Sequence, residues 1–135
     1  GEVDWAKIFD GSKHFHMSGI TPALSASATQ VTAEALKAAK KAGCTVSYDL
    51  NYRKKLWTPP DAKKVQEPMM ADVDILITTE EDTNVVFGIK EKDYEAVAEK
   101  MARTLKFKIV ATTMREDISD LRGGRLTRPP RYLGP

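Results

Sequence analysis

Arg53 is the residue of this chain whose type and setting point most directly to chemistry. It closes the run Asp49-Leu50-Asn51-Tyr52-Arg53, and Leu56-Trp57 follows shortly after. A planar guanidinium grips carboxylate or phosphate oxygens through two parallel charge-assisted bonds, so such an arginine suits the recognition of an oxyanion. The plainer alternative is that Arg53 pairs with a surface carboxylate and Asp49 caps a turn. A second cluster, Thr79-Glu80-Glu81-Asp82, gathers three acids. A hard cation takes carboxylate oxygens, usually with water between, but the Thr79-x-x-Asp82 spacing equally fits a capped helix start. His14 and His16 alternate with Phe15 and Met17 and share one face of a strand. With no further His or Cys at ligand spacing, packing or ordinary hydrogen bonding is their expected role. Cys44 is expected to be a small core hydrophobe, and Trp5, Ile8 and Phe9 to form an apolar edge packed into the core.

These residues must be held by regular elements, and four runs read as strands: Lys13 to Gly19, Thr45 to Leu50, Asp74 to Thr79 and Lys108 to Thr113. Their apolar content suits burial on both faces. Between them, Val31, Ala35, Ala38, Ala39 and Ala42 recur at helical spacing from about Ala26 onward, before Gly43 offers a left-handed stop. Tyr94, Val97, Ala98, Met101 and Leu105 form a second stripe, with Glu99 and Arg103 at the i,i+4 spacing. Two shorter helices are expected, Asp61 to Ala71 after a stop at Pro59 and Pro60, and Glu80 to about Phe87 before Gly88. Strands that alternate with helices require crossover connections, hence an α/β fold with a mostly parallel sheet and helices on its faces. In such sheets ligands bind beyond the carboxyl ends of the strands. The segments SGIT, DLNYR, TTEED and TTMRE all fall there, and the last of them is otherwise a solvated loop.

The bulk properties narrow the class. With 135 residues, 41% hydrophobic and 30% charged, the chain has room for one core. A net charge of +2 favours neither a nucleic-acid binder nor an acidic solvating chain. One cysteine forms no internal disulfide, and without an apolar leader the expected compartment is the cytoplasm. No apolar run approaches the roughly 20 residues a bilayer span needs. The chain opens on Gly1, which a processed product or a fragment would each explain. Near Asp120 the composition changes: Arg122, Arg125, Arg128 and Arg131 lie among glycines and prolines, so residues 1–119 are expected to form the domain and 120–135 a disordered tail. One Arg-Gly-Gly beside a lone Tyr132 is too little for a nucleic-acid surface.

The stretches HMSGITPAL, DLNYRKKLW and TTEEDTNVVFGI, in that order, resemble the ribokinase-like (PfkB) carbohydrate kinases, nearest to those acting on 2-keto-3-deoxygluconate. The resemblance implies part of a ribokinase-like, Rossmann-type sheet and the transfer of the ATP γ-phosphate to a sugar acid, with Mg2+ as the metal. It implies that Arg53 reaches both the sugar acid and the nucleotide phosphates, that Asn51 and Tyr52 line the nucleotide side of the same cleft, and that Ile20 touches the sugar. Thr113 and Arg115 would contact the nucleotide where a glycine is usual in the family. Asp82 would serve the metal, although Thr79 and Asp82 stand where the family has the asparagine and glutamate of an Asn-x-x-Glu motif. The implied partners are a small-molecule sugar acid and ATP, not nucleic acid or membrane, with homo-oligomerisation left open. The family's Gly-Ala-Gly-Asp motif, which supplies the base and the anion-stabilising donors, does not occur in this sequence. No residue is therefore assigned as catalytic base, and the chain is expected to be inactive alone. Another PfkB kinase acting on fructose or a related sugar, and a noncatalytic remnant, are the alternatives.

Overall fold

The computed structural model describes residues 3–91, 94–105, 107–113, 117–119 and 125–127. A short helix α1 (Trp5–Ile8), capped by Asp4, leads into strand β1 (His14–Ser18) and a 3-10 turn (Thr21–Ala23). Helix α2 (Ala26–Lys41) starts at the Ser25 cap, whose Oγ accepts from the Ala28 N–H. It stops where Gly43 takes φ 83°, a left-handed conformation that a side chain would oppose. Strand β2 (Thr45–Asp49) and helix α3 (Pro59–Met69) follow. Pro59 and Pro60 do not halt the chain before this helix, as expected above, but form its first turn behind the Thr58 cap. There the missing N–H groups would have had no helical partner in any case. Beyond a 3-10 turn (Met70–Asp72) come β3 (Ile75–Thr79), α4 (Glu80–Phe87), α5 (Tyr94–Leu105) and β4 (Ile109–Thr113).

The four strands lie in the order β1-β2-β3-β4 and every neighbouring pair is parallel. Parallel strands in sequence order, joined by right-handed crossovers, must place their helices on the same side of the sheet. Burial bears this out. Phe15, Met17, Val46, Tyr48, Leu76 and Val110 share one face through the register and belong to, or pack against, the core with Leu36, Ala39, Val86, Val97 and Met101. The alternate set, His14, His16, Thr45, Ile75, Ile77, Ile109 and Ala111, stays outside that core. On that second face Ser47 is buried, Ile75, Ile77 and Ala111 are half-buried and His14, His16, Thr45 and Ile109 are exposed, so among the described residues the apolar core lies on one face of the sheet.

Further details differ from expectation. Phe9 is buried and stacks with Trp5 while meeting Phe15 edge-on, but Ile8 is 54% exposed and leaves the core. His14 Nε2 and His16 Nδ1 both bond Ser47 Oγ, at 2.9 and 2.8 Å, so both histidines are engaged in hydrogen bonds. No cluster of three or more His, Cys, Asp or Glu suited to a metal occurs among the described residues. Cys44 is buried. Two further strands, β5 (Asp117–Ser119) and β6 (Arg125–Thr127), pair antiparallel; the rest of 120–135 lies outside the described residues. No described helix is long and apolar enough to cross a membrane.

Candidate functional site

The carboxyl ends of β1, β2 and β3 carry the polar runs noted in the sequence, and hydrogen bonds tie them to one another. The Gly19 N–H donates to the Asp49 carbonyl at 2.7 Å, and the Leu50 N–H to the Ile77 carbonyl at 2.9 Å. Gly19 is required by space. A Cβ there would stand 2.1 Å from the Leu50 carbonyl oxygen and 2.5 Å from Gln66 Oε1, and the backbone cannot yield so far. After Leu50 the chain turns sharply at Asn51, the one described non-glycine residue with positive φ, at 40°. Asparagine tolerates that conformation better than most residues. Beyond the turn Tyr52 packs against the core while Arg53 is exposed.

Ser18 organises the first corner, since its Oγ accepts from Asn51 Nδ2 at 3.3 Å and from the Ile20 N–H at 3.4 Å. Ile20 and Asn51 are thereby brought to one place. At the second corner, Thr79 caps α4, its Oγ1 accepting from the Asp82 N–H at 3.0 Å. The helix-start reading of Thr79-x-x-Asp82 is thus realised, yet the Asp82 carboxylate turns outward and accepts from the Tyr52 N–H at 3.3 Å. Tyr52 in turn donates its hydroxyl to the Trp57 carbonyl at 3.1 Å, which fastens the loop to the start of the next segment.

Arg53 is exposed, and its recorded hydrogen bond runs from Nη1 to the Tyr52 carbonyl at 3.4 Å. It forms no ion pair among the described residues. The guanidinium still acts on both neighbouring acids. Burial raises the Asp49 carboxyl above its ordinary range, opposed by His16, the Asn51 N–H and Arg53. Burial likewise raises Asp82, reinforced by Glu81 and Asp49 and opposed by the Tyr52 N–H and Arg53. Burial raises both carboxyls and Asp49 adds to the rise at Asp82, so a positive charge beside them would favour their ionised forms. Among the described residues, Asp49 and Asp82 are the carboxyls at this corner that could offer oxygens to a cation, and they are too few to form a cluster of three ligands.

Thr113 lies at the end of β4, in register with Thr79, and its Oγ1 donates to the Thr78 carbonyl at 3.3 Å. It is joined to the Asn51 corner only through β3. Arg115 lies outside the described residues. Sequence reading passed over Ser18, whose hydroxyl joins two loops, and treated Asp49 only as a cap. The signal available was position, since both stand at strand ends beside residues already singled out.

Comparison with known proteins gives this geometry its family. The pattern of the pfkB family carbohydrate kinase matches residues 2–117. The chain belongs to that family. It is 39% identical over 110 residues to a 2-dehydro-3-deoxygalactonokinase of Haloferax volcanii, covering 82% of this chain and 34% of the relative. It is 32% identical over 114 residues to a 2-dehydro-3-deoxygluconokinase of Thermoproteus tenax, with the same coverage of 82% and 34%. The crystal structure of a Thermotoga maritima 2-dehydro-3-deoxygluconokinase superposes with a TM-score of 0.81 at 47% identity, over 84% of this chain and 36% of that one. The PfkB chain described here thus spans about a third of the length of the relatives it matches.

Proposed function

We propose that this PfkB chain carries the oxyanion-binding part of a kinase that transfers the ATP γ-phosphate to a 2-keto-3-deoxy sugar acid, 2-keto-3-deoxygluconate foremost. The observation that supports this most is the Arg53 arm: an exposed guanidinium that forms no ion pair among the described residues and follows the end of β2 and the left-handed turn at Asn51. A sugar acid presents a carboxylate and ATP presents phosphates, and a free fork of N–H donors serves either. Ile20, placed beside Asn51 through Ser18, supplies an apolar contact to the sugar, and Tyr52 and Thr113 lie toward the nucleotide. Asp49 and Asp82 would hold Mg2+, which neutralises phosphate charge when bound. The similarity to kinases named for 2-dehydro-3-deoxy sugar acids supports the substrate class.

Phosphoryl transfer also needs a base at the acceptor hydroxyl and preorganised donors around the transferred group. The family's Gly-Ala-Gly-Asp motif, which supplies both, does not occur in this sequence, so we expect the 135-residue chain to bind without turnover. The test follows ADP release from the purified chain with ATP, magnesium and the sugar acid, alongside calorimetric titration of each ligand. Saturable binding with no turnover above background is expected. Turnover near about 1 per second, the low end for ordinary enzymes, would show that the catalytic groups lie within these residues. Absence of binding to both ligands would overturn the reading of the Arg53 arm, and preference for fructose over the sugar acid would overturn the substrate class.

A further inference from the structure

Behind the candidate site lies a buried polar pair that the proposed chemistry does not use. Gln66, on α3, is wholly buried, and its Oε1 accepts from the Tyr48 hydroxyl at 2.8 Å. Tyr48 is wholly buried too, and burial, with Asp49 nearby, raises its hydroxyl further above its ordinary range, so it stays a neutral donor. Gln66 Nε2 has no hydrogen-bond partner among the described residues. A buried donor left unpaired opposes folding, and an apolar pair of the same shape would fill this space without that cost. The location offers a reason for its presence. Gln66 Oε1 stands where a side chain of Gly19 would begin, alongside the Leu50 carbonyl. Gly19 leads directly to Ile20, and Leu50 directly to the Asn51–Arg53 turn. The amide therefore sits beneath the point where the two loops part.

We infer that Gln66 is a positioning residue, held in one rotamer by Tyr48, whose amide sets the separation between the Ile20 loop and the Asn51–Arg53 loop and so the width of the sugar-acid subsite. The claim about loop separation stands on packing alone; its consequence for ligand rests on the proposed function. A branched apolar tip in place of the flat amide fills a similar volume with a different outline against Gly19 and Leu50. The loops then relax, while the core beneath stays packed.

The decisive variant is the double substitution Tyr48→Phe with Gln66→Leu, which removes both polar partners together and leaves no orphan hydroxyl. Two measurements on the full 135-residue chain separate positioning from plain stability. Thermal unfolding should show a midpoint equal to or above that of the unsubstituted chain. Amide hydrogen exchange should show the Gly19 and Leu50 N–H groups, bonded to Asp49 and Ile77, losing protection at least tenfold while Leu76 and Val97 keep theirs. In calorimetric titration with 2-keto-3-deoxygluconate the double variant should bind about tenfold more weakly, and the conservative single variant Gln66→Glu should not restore the loss. Unchanged exchange at Gly19 and Leu50 would overturn the inference, as would a uniform loss of protection with a lowered midpoint, which marks a merely structural pair. If the unsubstituted chain binds no sugar acid, the proposed function fails while the exchange result still decides the role of Gln66.

Discussion

Arg53 forms no ion pair among the described residues, so its removal breaks no salt bridge there and reaches the fold only through the charge it presents to Asp49 and Asp82. Arg53→Ala should leave thermal stability within about 0.5 kcal/mol, as for surface positions away from special features. It should weaken sugar-acid or ATP binding by about 2 kcal/mol, in the range for a charge-assisted contact. Arg53→Lys keeps the charge and loses the fork, so it should recover less than half of that; full recovery by lysine would show that charge alone matters. Gly19 behaves oppositely. Gly19→Ala forces a methyl to 2.1 Å from the Leu50 carbonyl, and overpacking of that kind costs about 1–3 kcal/mol. Urea unfolding should register the loss. An alanine variant as stable as the parent would mean the two strand ends are free to separate.

Neighbouring residues on one strand should differ as strongly as distant ones, because the sheet buries one face. Val110, 6% exposed, packs in the core, whereas Ile109 beside it is 39% exposed. Val110→Ala should destabilise by about 2 kcal/mol through lost apolar contact and the space left behind, while Ile109→Ala should cost less than half as much. Equal losses in chemical unfolding would show that the second face is covered in solution. The comparison also marks what a reader of the sequence can see. The runs TVSYDL, DILITT and KIVATT announce strands through β-branched and aromatic residues, and a continuous apolar run does not reveal which face meets helices. The order and handedness of the crossovers decide that, and they are global properties. Local chemistry was more legible: the Gly43 and Gly88 stops and the Thr79 cap lie where residue type alone places them. Pro59 and Pro60 misled because proline both ends and begins helices, and the Thr58 cap decides between them. At the site, Arg53 and Asp82 stood out by type. Ser18 and Gln66 did not, since their importance lies in what they touch across 33 and 18 positions of sequence.

At the scale of the whole molecule, one carboxylate joins segments that lie far apart in sequence. Asp74, just ahead of β3 and nearly buried, takes Lys40 from the end of α2 at 2.7 Å and Lys108 from the approach to β4 at 3.0 Å. Its Oδ2 also accepts from the Val46 N–H at 2.9 Å. Burial alone would raise this carboxyl, but the hydrogen bonds from Lys40, Val46 and Lys108 outweigh it and hold the group at about 2, below its ordinary 3.8. A carboxyl depressed on folding contributes stability that is complete above the unfolded value and is lost as pH falls through the folded one. The window is therefore pH 4 down to 2, and the contribution above it is about 2 kcal/mol. Asp74→Asn keeps the shape and removes the charge that Lys40 and Lys108 share. At pH 7 the variant should be less stable by about that amount in urea unfolding, and the gap between the two proteins should narrow steadily as pH drops from 4 to 2. The sign matters as much as the size, because an ordinary packing defect would cost the same at every pH. A gap that stays constant across the window would show that Asp74 acts through its shape alone, and that the ends of α2, β2 and β4 are held together by the core rather than by its charge.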